Sequence, residues 1–436
     1  MKGSTMAMLR GVGVSIAAVC LAVVPQATIA QQSGTFKLGV VTFLSGAAAG
    51  PFGVPARNAA ELTIEALNGG KLPSPYANKG INGLTVEMVI IDEAGGTTKQ
   101  VTEYRNLVER QRVDAVIGYI SSGDCLAIAP LADELKALTI FFDCGTPRIF
   151  EDRSYQYLFR TGPHATMDNV AAARYVLARN PNIKTIAGIN QNYAWGQDSW
   201  NDFKLSMEVL KGDAKVVTEQ FPKLLAGQYG AEISALLTQK PDVIHTSLWG
   251  GDVEAFTLQG RARGVFEGRT VVMTAGEPAM FRMATQIPAG TVIGARGPHG
   301  VFAPDNELNR WFRAAYSERY GTPPVYPSYK IVMAILGLKL AAEKAAAGKP
   351  DKPTTEAIAA AFPGISYDTP SGRIDMKLGK GHQAIQDMAY GVFRFEAAKG
   401  EPQLADAVRY PAECVNPPEG VKSEDWIKGG FKGAKC

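Results

Sequence analysis

VDAVIGYI, at residues 113–120, is a short apolar run rich in β-branched side chains, the pattern of a strand buried on both faces. SSGDC, at residues 121–125, interrupts it with helix-capping residue types, and apolar residues at helical spacing follow from 126 to 138. A second strand pattern, TIFF at 139–142, leads into DCGTP at 143–147. This order predicts a β-α-β unit. Its strands run the same way, so both loops lie at the carboxyl edge of one sheet, where open α/β sheets bind ligands.

The alternation of strand and helix patterns continues on both sides of this unit. Further strand patterns lie at 36–43, 85–91, 185–190, 242–247 and 270–274. Strands that alternate with helices predict an α/β fold with parallel sheets. A mature chain of about 400 residues is too long for one ordinary hydrophobic core. We therefore expect two Rossmann-like lobes, each with a parallel central sheet.

The chain is expected to pass between the two lobes more than once. The predicted division is 31–160 plus 290–365 for the first lobe, 161–289 plus 366–410 for the second, and 411–436 for a tail rich in proline, glycine and lysine. The strand patterns at 372–376 and 390–395 are predicted to form a final antiparallel pair.

Residues 1–30 are predicted to be a secretory signal peptide rather than part of the fold. A basic start that includes Arg10 precedes an apolar run over residues 11–24, and a small residue, Ala30, ends the segment. This pattern predicts cleavage before Gln31. The apolar run is too short for a comfortable membrane span.

The mature chain is expected to be nearly neutral and to carry no lipid anchor. A lipid-attachment cysteine needs a small residue before it, whereas Val19 precedes Cys20. Removal of the two positive charges of Lys2 and Arg10 lowers the formal net charge from +3 to +1. This balance argues against nucleic acid or an anionic membrane surface as a partner.

The cysteines of the mature chain predict two disulfide bonds. Four remain after cleavage, an even number in an exported protein: Cys125, Cys144, Cys414 and Cys436. Three pairings are possible, and the economical one joins Cys125 to Cys144 and Cys414 to Cys436. Neighbouring parallel strands lie about 4.8 Å apart, which suits disulfide Cα spacing. We interpret the first pair as a link that preorganises two loops rather than as a reactive site.

Signals for catalysis or for a bound metal are weak. The histidines show no metal-ligand spacing: His164, His245, His299 and His382. Residues 118–123 are not a G-x-S-x-G elbow, no G-x-G-x-x-G follows a strand, and LGKGH at 378–382 lacks the Ser or Thr of a phosphate loop. We expect no enzyme activity, no metal and no cofactor.

Residues that suit a small polar ligand follow the predicted strands at one edge. They are Ser45, Phe52, Ser121, Ser122, Thr146, Tyr193, Trp195, Trp249 and Glu277. Hydroxyl groups and free backbone N–H groups suit a carboxylate or another small anion, and aromatic rings suit the apolar or planar part of a ligand. Any one of them could equally be a helix cap or an ordinary aromatic at a lobe edge. The set as a whole favours a ligand cleft.

Two acids have two interpretations each. Asp124 is better explained as a cap of the following helix than as a ligand contact, and in the cleft it would repel a carboxylate and favour a cation or hydrogen-bond donor. Glu277 is either a turn residue or the partner of a ligand amino group, with neither preferred.

Taken in order, these segments resemble the type I periplasmic solute-binding proteins of ABC transporters, in particular the leucine/isoleucine/valine-binding group. The resemblance runs from about residue 36 to about residue 396. It is carried by GVVTFLSG at 39–46, VIGYISS at 116–122, DCGT at 143–146, YAWG at 193–196, GE at 276–277, TPSGRID at 369–375 and YGVF at 390–393.

The resemblance implies a monomeric periplasmic receptor with two lobes joined by a multi-stranded hinge. Such a receptor closes on a small polar ligand, an amino acid or related carboxylate, and delivers it to an ABC transporter permease. In that family a serine and the threonine of the next loop hold the ligand carboxylate with backbone N–H groups, aromatics cover the ligand body, and an acid meets its α-amino group. Together with the neighbouring serine, these roles fall on Phe52, Ser121, Ser122, Cys144, Thr146, Trp195, Trp249 and Glu277.

Several departures from the family pattern leave the ligand open. The first loop has an extra residue around 50–51, the two loop cysteines and Asp124 are additions, and Trp195 and Trp249 stand where tyrosines are expected. An aliphatic amino acid is the default ligand, and an aromatic acid, an amide or a urea-like compound is the alternative. Two other functions stay open: a ligand-sensing partner of a membrane receptor, and a secreted α/β enzyme.

Overall fold

The structure is a computed structural model that describes residues 34–436 together with residues 1, 3 and 4. The predicted signal peptide and the anchoring question at Cys20 lie outside the described residues. The strands are β1 (Thr35–Thr42), β2 (Thr85–Asp92), β3 (Ala115–Gly118), β4 (Thr139–Phe141), β5 (Leu158–Arg160), β6 (Thr185–Ile189), β7 (Lys215–Gln220), β8 (Val243–Thr246), β9 (Thr270–Met273), β10 (Val292–Gly294), β11 (Ser366–Thr369), β12 (Gly372–Leu378), β13 (Gln383–Ile385), β14 (Met388–Glu396) and β15 (Glu401–Tyr410).

Helices alternate with these strands along most of the chain. They are α1 (Val54–Gly69), α2 (Thr97–Arg105), α3 (Ser122–Glu134), α4 (Arg148–Glu151), α5 (Ala165–Arg179), α6 (Ala194–Lys211), α7 (Gly230–Gln239), α8 (Gly251–Ala262), α9 (Glu277–Arg282), α10 (Glu307–Tyr320), α11 (Tyr326–Ala346), α12 (Thr355–Ala361), α13 (Ala412–Val415) and α14 (Ser423–Lys428). Within residues 34–436 no helix is both long enough and apolar enough to cross a membrane.

The strands form two mostly parallel sheets, which confirms the predicted fold class. The first sheet has the order β11-β12-β13-β5-β4-β3-β1-β2, and the second β15-β14-β10-β9-β8-β6-β7. The pairs among β1–β5 and among β6–β10 are parallel, while β11, β12, β14 and β15 add antiparallel pairs at one edge of each sheet.

The predicted β-α-β unit is present as β3, α3 and β4. All residues of β3 and β4 are buried, as expected for apolar strands covered on both faces. The helix begins earlier than its apolar periodicity suggested, at Ser122. Its N-cap is Ser121, whose side chain accepts the backbone N–H of Asp124 at 3.4 Å. The small polar residues therefore form the first turn of the helix rather than a loop.

The chain passes between the two sheets three times, which forms the predicted hinge. The crossings follow β5, β10 and β13. Judged by strand pairing, residues 366–385 join the first sheet and 292–294 the second, which departs from the predicted boundaries. Gln383 of β13 pairs with Arg160 of β5, an interaction between distant segments that leaves no local mark in the sequence.

The predicted antiparallel pair of 372–376 and 390–395 is wrong. β12 pairs with β11 and β13 in the first sheet, and β14 pairs with β10 and β15 in the second. Each of the two segments finds a nearer partner in sequence, because short turns bring β11 to β12 and β14 to β15.

Each sheet has its own hydrophobic core. In the first, β1 contributes Phe36 and Leu38, which pack with Phe312, Ile331 and Ile335 from α10 and α11. The second core combines α5, α6 and the strands of its sheet with Trp426 of the tail. Burial of this tryptophan contributes roughly 2–3 kcal/mol, which helps to keep the tail folded.

Disulfide bonds join Cys125 to Cys144 and Cys414 to Cys436. The first connects the start of α3 to the loop after β4, with Cα atoms 6.5 Å apart. The second closes the tail on itself across 22 residues. Both bonds follow the economical one of the three possible pairings.

Candidate ligand-binding site

A small cavity lies where the carboxyl edges of the two sheets face each other. Its volume is about 10 Å³. Every lining residue follows the end of a strand or begins a helix at this edge. The lining residues are Phe52, Ile120, Asp143, Gly145, Tyr193, Trp195, Trp249, Ala275, Arg296 and Tyr326.

Five aromatic rings form most of the cavity wall. The Phe52 ring lies 5.3 Å from Trp249 and 5.2 Å from Tyr326, between ring centroids. The polar edges of both indoles are fixed: Trp249 Nε1 donates to the Tyr193 hydroxyl at 2.8 Å, and Trp195 Nε1 donates to a backbone carbonyl after β8 at 2.9 Å. We call these five residues the aromatic cage. Their held orientation presents flat apolar faces to the cavity.

A buried group of four charges supports the cage from one side. Arg296 Nη1 lies 2.7 Å from Asp143 Oδ1, and Arg296 Nε lies 3.1 Å from Asp168 Oδ2. Lys330 Nζ donates to the same oxygen of Asp143 at 2.7 Å. The guanidinium also lies over the Trp195 ring, 4.2 Å from its centroid. Two cations and two anions balance, which permits burial of charges that would be costly alone.

Burial and pairing set the ionisation of this group. Burial would lower the pKa of Arg296, but the carboxylates of Asp168 and Asp143 outweigh it and hold that pKa above its ordinary value. Burial, together with the charge of Arg296, lowers the pKa of Lys330 to about 8. Arg296 is therefore a permanent cation at the cavity, whereas Lys330 is close to titrating at neutral pH.

Three hydrogen-bond donors are available at the cavity. Arg296 uses four of its five N–H groups in hydrogen bonds to Asp143, Asp168 and the carbonyl of Pro163. One N–H group, on Nη2, remains for a ligand. Burial raises the pKa of Tyr193 and of Tyr326 well above the ordinary value, so both keep their protons. The Tyr193 oxygen already accepts from an indole and can still donate. Donors of this kind suit a carboxylate or another oxygen acceptor.

The structure brings three of the predicted contacts to the cavity: Phe52, Trp195 and Trp249. Cys144 lies between two lining residues, Asp143 and Gly145, but its side chain is held in the disulfide bond. The backbone at this loop therefore reaches the cavity, while the thiol does not.

The predicted hydroxyl groups are engaged inside the protein. Ser122 Oγ accepts the backbone N–H groups of Gly145 at 3.1 Å and Thr146 at 3.2 Å. The Thr146 hydroxyl donates to Asp198 Oδ2 at 2.6 Å. Ser121 caps α3. None of the three predicted hydroxyls is among the lining residues described above, and their contact with a ligand stays a prediction.

A residue that the sequence did not suggest occupies the backbone donors of this loop. Glu93, just after β2, accepts from Ile120 N at 2.9 Å and from Ser121 N at 2.7 Å. Burial, with the nearby charge of Asp124, raises the pKa of Glu93 well above its ordinary value. These N–H groups were expected to be free for a ligand carboxylate, and an internal carboxyl group takes that place.

Neither of the two ambiguous acids is among the residues that line the cavity. Asp124 was expected to cap the helix, but the N-cap is Ser121; Asp124 lies in the first turn of α3 and accepts from the Thr97 hydroxyl at 2.7 Å. Glu277 Oε2 accepts from Tyr326 N at 2.9 Å, and burial raises the pKa of Glu277 to about 8. Its predicted role with an amino group stays a prediction.

Two of the charged residues at the cavity that the sequence analysis did not name could have been predicted from their positions after strands. Asp143 follows β4 by two residues and Arg296 follows β10 by two residues, so both lie at the ligand-binding edge. Lys330 and Asp168 lie within helices, where no local pattern distinguishes them. Among the described residues, no cluster of three or more His, Cys, Asp or Glu side chains is placed to hold a metal ion.

Comparison with known proteins gives one family and a set of similar folds. The family model described as "Periplasmic binding protein" matches residues 35–399. A solute-binding protein of an ABC transporter from R. palustris, solved with benzoate, has 21% identity and a TM-score of 0.73 over 89% of this chain and 100% of that one. A leucine-binding protein from Thermotoga maritima has 20% identity and a TM-score of 0.70 over 85% of this chain and 98% of that one. The branched-chain amino acid binding protein of Streptococcus pneumoniae, solved with isoleucine, has 16% identity and a TM-score of 0.71 over 86% and 99%. No curated protein sequence matches the chain.

Proposed function

We propose that this chain, which belongs to the periplasmic binding protein family, captures a small aromatic carboxylate between its two lobes and passes it to an ABC transporter permease. The observation that carries the ligand class is the aromatic cage around a cavity at which Arg296 keeps one unused N–H group. Flat rings on several sides suit a planar ligand body, and this N–H group with two tyrosine hydroxyls supplies donors for its carboxylate.

The cavity is nearly closed in this arrangement of the lobes. Its volume of about 10 Å³ is the space of about one water molecule, so the lobes must part before a ligand can enter.

The internal bonds of the expected amino-acid contacts argue for a ligand without an α-amino group. Ser122 Oγ already accepts two loop N–H groups, the Thr146 hydroxyl donates to Asp198 of α6, and Glu277 is not among the residues that line the cavity. An α-ammonium group would therefore lack the acid that the resemblance offers it. Neighbours from R. palustris solved with benzoate, 3,4-dihydroxybenzoic acid and 4-hydroxybenzoate provide a precedent on the same fold.

An α-amino acid is the second candidate, because one oxygen at the cavity is unsatisfied. Asp143 Oδ2 has no hydrogen-bond partner within residues 34–436, and it is the kind of acceptor that an ammonium group needs. Leucine- and isoleucine-binding neighbours share the fold. Arg296 and Lys330 already neutralise this carboxylate, which weakens its attraction for a further cation.

The remaining parts of the proposal follow from the family. The protein works outside the cytoplasm as a monomer that binds and releases its ligand unchanged, rather than as an enzyme. Closure of the two lobes on the ligand creates the form that docks on the permease.

The test is calorimetry and thermal unfolding with benzoate, 4-hydroxybenzoate, leucine and benzamide. Benzoate at 100 times its dissociation constant should stabilise the protein by about 2.7 kcal/mol and raise the unfolding midpoint. Neutral benzamide should bind at least about tenfold more weakly, since it lacks the charge that meets Arg296.

Variants separate the cage from general stability. Trp249→Ala should weaken benzoate binding at least about tenfold, whereas Trp311→Ala, a partly buried tryptophan of α10 outside the cavity, should leave it unchanged. Binding of leucine without benzoate would refute the aromatic class and favour the second candidate.

A further inference from the structure

Residues of the C-terminal tail line a second pocket. The family match ends at residue 399, so this tail lies outside the matched residues. Residues 417–422, between α13 and α14, cover the end of β5 and the helix α4. The resulting pocket has a volume of about 180 Å³, below the roughly 300–1,000 Å³ of sites for drug-sized molecules and in keeping with a smaller ligand. We call it the tail pocket.

The floor of the tail pocket is an arginine without a directly paired carboxylate. Arg160 is fully buried, and it forms no ion pair with any residue that the structure describes. Its Nε donates to Gln383 Oε1, and its Nη1 donates to the carbonyls of Cys144 at 3.1 Å and Thr146 at 2.6 Å. The third nitrogen, Nη2, is buried and has no partner among the described residues.

Arg296, the buried arginine at the cleft, has the ion-pair partners that Arg160 lacks. Arg296 is equally buried but lies against the carboxylates of Asp143 and Asp168. A desolvated guanidinium with only neutral partners is costly, and burial lowers the pKa of Arg160 to about 9. An anion that enters the tail pocket would supply the missing charge.

The remaining walls define which anion fits. The Phe150 ring lies under the guanidinium, 5.6 Å from its carbon, and Pro418 and Val421 add apolar surface. Lys380 and Lys422 stand at the mouth. These surfaces suit a carboxylate with an apolar body better than a small hydrated inorganic ion.

The two acids of the pocket are already engaged. Glu151 Oε1 accepts from the backbone N–H and the hydroxyl of Ser423. Glu419 Oε1 accepts from Lys380 N at 2.8 Å. Both carboxylates are hydrogen-bonded, and Glu151 acts on the charge of Arg160 from a distance without forming an ion pair with it. His164 also lines the pocket. Its Nδ1 has no partner among the described residues and can donate or accept a hydrogen bond.

We propose that the tail pocket is a second binding site, for a small organic monocarboxylate whose charge meets Arg160 and whose body lies against Phe150. The site is separate from the cleft and goes beyond the function proposed above. The two are connected through Arg160, which holds the loop carbonyls of Cys144 and Thr146 beside the cavity-lining Gly145. Occupation of the tail pocket therefore steadies a wall of the cleft.

The probe is 4-bromobenzoate, because bromine can be located by anomalous diffraction from crystals of the mature protein. The expected result is a bromine peak in the tail pocket, with the carboxylate at Arg160. Calorimetry should show that the neutral 4-bromobenzamide binds there at least about tenfold more weakly. A saturated crystal with bromine only in the cleft, or nowhere, would overturn the proposal.

Variants make the test independent of the cleft. Val421→Trp, at a side chain that is 40% exposed, should fill the tail pocket without unfolding the protein and abolish binding there. Lys428→Ala, on the same tail but outside the pocket, is the matched control and should change nothing. Arg160→Gln should weaken the tail site at least about tenfold if it folds.

The two proposals fail in different ways. Trp249→Ala should remove cleft binding and leave the tail-pocket peak. If bromine occupies the tail pocket and never the cleft, the aromatic class proposed for the cleft is wrong while the second site stands. If Val421→Trp binds as the parent protein does at both sites, the second site is refuted.

Discussion

Arg296 keeps its charge in the interior because two carboxylates lie within hydrogen-bonding distance of its guanidinium. Arg296→Gln removes the cation and leaves Asp168 buried without an opposite charge. We expect the free energy of unfolding to fall by about 3–5 kcal/mol, the usual cost of breaking a buried pair. Urea unfolding followed by fluorescence measures the change.

The matched control is Arg282→Gln, which removes an exposed arginine paired with Glu254. An exposed pair contributes about 0–1 kcal/mol, so this variant should unfold almost as the parent does. Equal losses in the two variants would contradict the view that the charge group supports the cleft.

Glu277 makes stability depend on pH. Burial raises its pKa from 4.5 to about 8, so the folded protein holds a proton that the unfolded chain releases. This stabilisation is complete below about pH 4.5 and is lost as the pH rises through about 8. Glu277→Gln keeps an acceptor for Tyr326 N and does not ionise. Relative to the parent, it should gain roughly 3–5 kcal/mol between pH 4 and pH 9.

Unfolding by urea at a series of pH values tests this. Glu307→Gln, at an exposed position in the first turn of α10, serves as the control and should track the parent at every pH. A constant difference between Glu277→Gln and the parent across the range would show that Glu277 ionises normally.

At the scale of elements, the loop after β4 decides how closely the two lobes approach. A Cβ atom at Gly145 would lie 2.3 Å from Trp195 Cζ3 and 2.5 Å from Arg296 Nη2, far inside contact distance. Glycine is required here by the neighbouring ring rather than by its own backbone. Gly145→Ala should therefore hold the lobes apart, which shows as a larger radius of gyration by small-angle scattering.

Gly123→Ala is the control for this prediction. It lies in the first turn of α3, where a new Cβ would meet its nearest atom, Ser121 Oγ, at an ordinary 3.6 Å. The first lobe should fold normally in both variants. An unchanged radius in Gly145→Ala would mean that the loop yields to the methyl group without opening the cleft.

At the scale of the whole molecule, one acid of the second lobe holds the loop of the first. Asp198 of α6 accepts from the Thr146 hydroxyl at 2.6 Å and from Arg148 Nε at 2.9 Å. Both partners follow β4 in the first sheet. Asp198→Ala removes these bonds across the cleft and should shift the ligand-free protein towards the open state, with a larger radius of gyration.

Asp213→Ala provides the comparison, because the ion pairs of Asp213 within the described residues are with lysines of its own lobe, Lys184 and Lys211. It should leave the radius unchanged. If Asp198→Ala is equally compact, then other contacts across the cleft, such as that of Arg296 with Asp143, are enough to keep the lobes together.

The sequence predicted the architecture well because the signal is local. Apolar runs of strand length, alternating with helical periodicity, report burial on both faces of each strand, and this pattern is enough to predict two parallel sheets. The aromatics Phe52, Trp195 and Trp249 were also found, since each follows a predicted strand at the ligand-binding edge. The lobe to which residues 366–385 belong was not predicted correctly, because it depends on the pairing of β13 with a strand more than 200 residues away.

Local sequence pattern was enough to predict the fold class, the ligand-binding edge and four of the five aromatics that line the cavity. Which polar groups remain for a ligand depends on the folded structure. Ser122, Thr146 and Glu277 have the residue types that grip an amino acid, yet each is bonded to a neighbour brought close by folding. No local sequence pattern distinguishes Arg296 from Arg160. Arg296 has ion-pair partners because folding brings carboxylates from distant parts of the chain next to it. The hydrophobic pattern of the sequence indicates which residues are buried, whereas their hydrogen-bond partners depend on contacts between segments far apart in the chain.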